Sequence, residues 1–342
     1  MTATIRSIAK EAGVSRGTVD KVLNERPGVS PEVREKVKRI ADELGYKPNL
    51  AGKALALQKK PLKIGVIMLS IDDLFFVEVY QGVKQASYEF RGYGVKLEIC
   101  LMKSMDAQEQ LRHIRELRDR GISALAISPV DEDIIRNELN RLAGENIKII
   151  IFNTDITSVD KLCYVGQDLK RSGRVAGDLV GNLLPDGGNV LVINGPQKLK
   201  GLQDRVSGFQ EIIREEYPEI NIVGIIQDIT SNEDSYFHTM KALKGEKPIN
   251  AIYITARGIG GVGRALKELN RRDIKFVCFD KIPETIELIK EKIVSFTITQ
   301  QPFLQGYLPI KIFFEYFFYD KLPEKDYMYT KLEIRTKENI DI

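Results

Sequence analysis

Gly258, Gly260 and Gly263 stand in the spacing GxGxxG directly after the apolar run INAIYIT, and Asp280 closes the next such run, IKFVCFD. A strand, a glycine turn opening a helix and an acid about twenty residues on suit a dinucleotide. The glycines let the backbone approach the pyrophosphate, and the acid takes a ribose hydroxyl. That chemistry would make the chain an NAD-dependent oxidoreductase. Two features weigh against it. Arg257 abuts the first glycine, where close packing asks for something small, and the nearest histidine to offer proton transfer is His238. The competing expectation is a glycine-rich helix start in a chain that is not an enzyme.

Other catalytic chemistries find little material. Two histidines, His113 and His238, are too few for a histidine-rich metal site or a histidine-based triad. Cys100, Cys163 and Cys278 are odd in number and have no CxxC spacing, so they read as buried thiols of a reducing compartment. The sequence predicts no metal site and no cofactor. A different chemistry is offered near the N-terminus, where Arg16 and Lys21 can donate to guanine O6 and N7 or to phosphate.

Charge agrees with that offer. Residues 1–60 hold 13 Lys and Arg against 7 Asp and Glu, a local charge of +6, while the whole 342-residue chain carries +3. A basic head on a slightly acidic body points to a polyanion partner for the head alone. No apolar run reaches the about 18 residues of a membrane span, and MTATIRSIAKEAGVS has no signal-peptide core, so a cytoplasmic location without a membrane partner is expected.

The elements that must position Arg16 and Lys21 are short. Thr4 can cap a helix with Ile5, Ile8, Ala9 and Ala12 at helical spacing. Gly13 breaks it, Val14 plugs the turn, and Ser15 caps a second helix carrying Val19, Val22 and Leu23. A tight glycine turn between two such helices makes a helix-turn-helix, whose second helix enters the major groove. Ser30-Pro31-Glu32 opens a third helix, which carries Val33, Val37, Ile40, Ala41 and Leu44 and stops at Gly45. From Pro61 onward the pattern is strand-helix-strand. KIGVIM, VKLEICL, ISALAIS and IKIIIF form one block, and NVLVING, INIVGII, INAIYIT and IKFVCFD a second. Such alternation predicts two lobes, each a parallel doubly wound sheet covered by helices, with ligands beyond the carboxyl ends of the strands.

The run IRSIAKEAGVSRGTVDKVLNERPGVSPEVREKVKRIADELGYKPN resembles the headpiece of the lactose-repressor (LacI-type) family of transcription regulators almost end to end. The resemblance implies DNA contacts by Thr4, Ser15, Arg16, Gly17, Thr18, Lys21 and Asn24. Gly17 has no side chain to read a base, and Asp20 stands where a small hydroxyl residue is common. The segment LAGKALALQKK, capped by Asn49, is similar to the family's hinge helix. That implies minor-groove contacts by Asn49 and Ala51, with Leu55 as the wedge that unstacks a base step. Gly52 costs about 1 kcal/mol relative to Ala in such a helix, and an isolated helix of this length is marginal in water; the resemblance implies a segment that orders only on DNA.

The core resembles the periplasmic sugar-binding fold of the same family, above all ribose-type binding proteins. DDLFF then places Asp73, Phe75 and Phe76 at the cleft. FNTD places Asn153 and Thr154 where relatives often carry Asp and Arg. QDRVSGF supplies Arg205, INAIYIT ends on Thr255, CFD supplies Asp280 and TITQQP supplies Gln300. Carboxylates, amides and a guanidinium bridge adjacent hydroxyls, and aromatic rings cover the C–H faces of a sugar. The implied ligand is a small sugar or polyol.

The expected organisation is a headpiece at 1–48, a hinge at 49–60 and a core at 61–342. Lobe 1 is expected over about 61–163 and 292–322, and lobe 2 over about 164–291 and 323–342, with crossings near 162–166, 290–294 and 320–325. Arg205 and Asp280 then share one lobe, and Asp73, Phe75, Phe76 and Gln300 the other. The tail YTKLEIRTKENIDI lacks a leucine heptad, so a homodimer on a pseudo-palindromic operator is expected rather than a tetramer. An exported sugar carrier is disfavoured by the headpiece.

Overall fold

The computed structural model describes residues 4–23, 27–46, 61–70, 72–255 and 257–341. They fall into two compact units, divided between residues 56 and 57.

In the first unit, α1 (Ile5–Ala12) begins with a capping box: Thr4 Oγ1 accepts from the Ser7 N–H, and Ser7 Oγ accepts from the Thr4 N–H. Gly13 ends it at φ 69°, a left-handed conformation that costs glycine no steric penalty. The Ser15 hydroxyl accepts from the Thr18 N–H at 3.0 Å and so opens α2 (Arg16–Leu23). Ser30 and Pro31 open α3 (Pro31–Glu43). The three helices close around Ile8, Ala12, Val19, Val22, Val37 and Ile40, leaving the opposite side of α2 to solvent.

The second unit holds two six-stranded sheets. The first contains β1 (Leu62–Leu69), β2 (Val95–Met102), β3 (Ala124–Ile127), β4 (Lys148–Phe152), β5 (Cys163–Gly166) and β11 (Tyr327–Tyr329), in the order β11-β5-β4-β3-β1-β2, all parallel. With α4 (Leu74–Phe90), α5 (Ala107–Asp119), α6 (Asp133–Gly144) and α12 (Pro302–Tyr319) it makes lobe 1.

The second sheet contains β6 (Gly188–Ile193), β7 (Ile220–Ile226), β8 (Ala251–Ile254), β9 (Lys275–Phe279), β10 (Phe296–Thr299) and β12 (Glu333–Arg335), in the order β12-β10-β9-β8-β6-β7. Only β12 runs antiparallel to its neighbour. With α7 (Leu169–Leu183), α8 (Lys200–Glu216), α9 (Asn232–Leu243), α10 (Ile259–Glu268) and α11 (Pro283–Lys290) it makes lobe 2. Central strands are buried on both faces, which is why they read as continuous Val and Ile runs rather than alternation.

The crossings differ from the expected ones. The chain passes between lobes at residues 167–168, 300–301 and 330–332, not at 162–166, 290–294 and 320–325. Each short strand that precedes a crossing first completes the sheet it comes from. Cys163–Gly166 pairs with β4, Phe296–Thr299 pairs with β9, and Tyr327–Tyr329 pairs with β5. Residues 163–166 and 327–329 therefore belong to lobe 1, and 296–299 to lobe 2. Gln300 consequently ends a lobe 2 strand, beside Asp280, rather than standing in lobe 1.

Candidate functional site

A cavity of about 350 Å³ lies between the lobes, at the carboxyl ends of both sheets. Leu69, Asp73, Phe75, Phe76 and Asn153 line it from lobe 1, and Arg205, Asp280 and Gln300 from lobe 2. Seven of the nine core residues singled out in the sequence are thus brought together. The other two sit one layer behind the wall. Thr154 Oγ1 accepts from the Gly201 N–H at 3.2 Å and pins the start of α8. Thr255 donates its hydroxyl to Asn194 Oδ1 at 2.6 Å, and its carbonyl receives Arg205 Nη1 at 2.6 Å. Its place behind the wall is that of a prop.

Arg205, on α8, is 3% exposed. Its guanidinium lies 3.5 Å from the centroid of the Phe279 ring. Nη1 is held by Thr255 and Nη2 donates to Gln167 Oε1 at 3.1 Å, while Nε has no partner. A fully buried guanidinium with an unused donor is costly unless something completes its hydrogen bonding.

Asp280 follows β9 at φ 70°, and its N–H donates to the Ile298 carbonyl at 2.9 Å. Its Oδ1 accepts from Gln300 Nε2 at 2.8 Å. Burial pushes its carboxyl up to about 6, against the opposing pull of Arg205 and the Gln300 hydrogen bond.

Phe75 and Phe76 meet edge to face with centroids 5.3 Å apart. Phe76 is buried, while Phe75 is half-buried and reaches a second, adjoining cavity of about 150 Å³.

Asn153, at φ 65° after β4, donates Nδ2 to Gln305 Oε1 at 3.1 Å. Gln305 in turn donates to the carbonyl and side-chain oxygens of Gln300. An amide chain therefore runs from lobe 1 through α12 to the Gln300–Asp280 pair. Gln167 does the same at another crossing: its Nε2 donates to the Thr299 carbonyl while its Oε1 holds Arg205.

The sequence had not flagged Gln167, Gln305, Lys103 or Arg257 as functional. Lys103 follows β2 directly and Arg257 comes three residues after the end of β8. The rule that ligands sit beyond strand ends would have found both. The two glutamines carry no such signal, because only the crossings bring them to the site.

The glycine motif has a packing role. Gly258 starts α10 at φ 97° against Ser235, a Cβ on Gly261 would overlap the Asn232 carbonyl oxygen, and one on Gly263 would overlap Leu288. The glycines let α10 close on α9 and α11, and that space is filled by protein.

On α2, Arg16, Gly17 and Lys21 are exposed and Thr18 is half-buried, opposite the buried Val19 and Val22. Ser15 is exposed and spent on the helix cap with Thr18, and Thr4 caps α1. Asn24, Asn49, Ala51 and Leu55, with the hinge at 49–60, lie outside the described residues. Among the described residues no helix is long and apolar enough to cross a membrane.

A family model described as periplasmic binding protein domain matches residues 64–317, and one described as bacterial regulatory proteins, lacI family, matches residues 4–49. The chain is 26% identical over 313 residues to the ribose operon repressor of Halalkalibacterium halodurans, covering 87% of this chain and 85% of that one. It is also 26% identical over 273 residues to the xylose/arabinose-binding protein XylF of Sulfolobus acidocaldarius, covering 72% of this chain and 64% of the other, just under two thirds of its length. Among solved structures, the glucose-galactose binding protein GanP from Geobacillus stearothermophilus superposes with a TM-score of 0.76 at 23% identity, over 82% of this chain and 99% of that one, a likeness of fold. Over most of its length the chain belongs to the family with a periplasmic binding protein domain, and it joins that core to a head, residues 4–49, that matches the lacI family of bacterial regulatory proteins.

Proposed function

We propose that this protein is a transcription regulator, in the first place a repressor, whose operator affinity is set by a small sugar or polyol held between the core lobes. The observation that carries the reading is Arg205, a buried guanidinium with an unpartnered Nε on the wall of an interlobe cavity. With Asp280, Gln300 and Asn153 it offers the planar donors and acceptors that bridge adjacent hydroxyls, and Phe75 and Phe76 offer ring faces for C–H groups. Arg205 and Asp280 are tied to the crossing residues Gln167 and Gln300. A ligand that engages them has a direct route to the lobe closure that such cores use as a switch.

The relatives agree in kind. One is named for the ribose operon and another for xylose and arabinose. In the head, Arg16 and Lys21 are the base and phosphate contacts, with Asn24, Asn49, Ala51 and Leu55 assigned to DNA by sequence. The protein acts in the cytoplasm as a homodimer on a pseudo-palindromic operator, without a cofactor and without catalysis. The test is a thermal-shift screen of monosaccharides and polyols followed by operator titration with and without each hit. Binding to the folded state raises the melting temperature by mass action. A hit that changes operator affinity supports the reading; a hit that leaves it unchanged removes the regulatory link.

A further inference from the structure

The cavity lining is richer in positive charge and in unused donors than a neutral sugar requires. Three cations, Lys103, Arg205 and Arg257, stand against two carboxylates, Asp73 and Asp280. Both carboxylates are already engaged by the protein. Asp73 accepts from the Phe75 N–H and from Arg257, and Asp280 accepts from Gln300. The donors are less fully used. Arg205 Nε has no partner. Lys103 is exposed at the cavity edge and has no hydrogen bond or ion pair within the protein among the described residues. Arg257 spends Nε and Nη2 on one oxygen of Asp73, and its side chain is 49% exposed.

A neutral polyol presents a donor with every acceptor, so a lining built for it balances the two. A lining whose unpaired cation, Lys103, stands in lobe 1 and whose unused guanidinium donors stand in lobe 2 is matched instead by a ligand that brings acceptor oxygens and negative charge. Lys103 comes from lobe 1 and Arg257 from lobe 2, so an anionic group between them would add contacts available only when the cleft is closed.

We infer that the effector is an anionic sugar derivative, its ring held by Arg205, Asp280 and the Phe75–Phe76 pair and its carboxylate or phosphate read by Lys103 and Arg257. The inference rests on the sugar-binding reading above and narrows it. Carboxylate and phosphate share the chemistry of a compact oxyanion, and the choice of probes separates them.

The experiment is calorimetric titration of the full chain with matched sets: glucose, glucuronate and glucose 6-phosphate; galactose, galacturonate and galactose 6-phosphate; ribose, riburonate and ribose 5-phosphate. In at least one set the acid or the phosphate should bind roughly ten-fold or more tightly than its neutral parent, the value of one well-placed charged hydrogen bond. Whichever oxyanion wins names the source. In Lys103→Gln that ratio should fall toward one, and raising the salt should lower it in the wild type. A neutral parent that binds more tightly than its acid and phosphate in every set where binding is seen overturns the inference while leaving the sugar reading intact. A ratio that Lys103→Gln and Arg257→Ala both leave unchanged overturns the assignment of those residues. Absence of binding by all nine compounds, with the protein shown folded by its melting transition, counts against both this inference and the sugar reading.

Discussion

Asp73 and Arg257, 184 positions apart, meet across the cleft: Asp73 Oδ2 accepts from Nε of Arg257 at 2.7 Å and from Nη2 at 2.5 Å. The carboxylate caps α4 in lobe 1 and the guanidinium follows β8 in lobe 2. The pair therefore exists only when the lobes are close. Because the Arg257 side chain is 49% exposed, solvent screens it, and a contribution of about 0.2–1 kcal/mol to closure is the reasonable scale.

Asp73→Asn retains a cap for the Phe75 N–H, since asparagine caps as well as aspartate, but removes the charge that Arg257 holds. The ligand-free core should then open more often, by at most roughly five-fold in population. Fluorescence transfer between dyes on the outer helices of the two lobes measures it. An unchanged distance distribution at low salt would show that the pair does not bias closure.

Gly261→Ala tests what the glycine motif is for. The added Cβ would overlap the Asn232 carbonyl oxygen and Ser235 Oγ, so α10 must move away from α9. Overpacking of this kind costs about 1–3 kcal/mol, which should lower the melting temperature by several degrees. Nicotinamide cofactors should leave the wild-type melting temperature unmoved. A cofactor-dependent rise that Gly261→Ala abolishes would revive the oxidoreductase reading.

Much of this was legible in sequence because it is written in local patterns. The capping residues Thr4, Ser15 and Ser30, the turn at Gly13 and the helical spacing within each run, Ile8 with Ala12, Val19 with Val22, and Val37 with Ile40 and Ala41, specify the head without long-range information. The long Val and Ile runs mark buried parallel strands in the same way, and the residues after them are where Asp280 and Asn153 stand. The short strands at 163–166, 296–299 and 327–329 were not legible, because three or four residues carry little periodicity and their partners lie far along the chain. That is why the pattern puts Gln300 in lobe 1, whereas the fold puts it at the end of a lobe 2 strand. The GxGxxG spacing was ambiguous for a related reason: helix packing and pyrophosphate approach ask for the same absence of a Cβ. Gln167 and Gln305 gave no signal, since a glutamine at a crossing or in the first turns of a helix looks like any solvated glutamine until the fold buries it.

The head should behave as an electrostatic module. Operator affinity should fall steeply with salt, as phosphate neutralisation releases counterions. Arg16→Ala should cost about 1–3 kcal/mol and relax preference at one base position, whereas Lys21→Ala, if it reads phosphate, should weaken all sequences alike and flatten the salt slope by about one. A chain starting at Pro61 should still show the ligand-induced thermal shift. Fluorescence anisotropy on operator and random duplexes measures each effect. Operator binding by the shortened chain would remove the head from the DNA interface.

Asp280 should set activity against stability. Its carboxyl is pushed up to about 6 in the fold, from about 3.9 in an unfolded chain, because burial penalises the charged form more than Arg205 and Gln300 favour it. The folded state thus binds the proton more tightly than the unfolded state. That contribution to stability is fully present below pH about 4 and is lost as pH rises through about 6. A shift of that size corresponds to about 3 kcal/mol, as an order of magnitude. Asp280→Asn keeps the shape of the protonated acid and cannot ionise. The variant should therefore melt higher than the wild type at pH 7.5, and the difference should shrink to nothing near pH 4. The same change removes the charged acceptor from the cavity wall, so effector affinity should fall roughly ten- to hundred-fold, the value of a charged hydrogen bond. Melting curves from pH 4 to 8, with effector titration at pH 7.5, measure both arms. An Asp280→Asn variant less stable than the wild type at pH 7.5 would show that pairing with Arg205 outweighs burial, and undiminished effector affinity would take Asp280 out of the site.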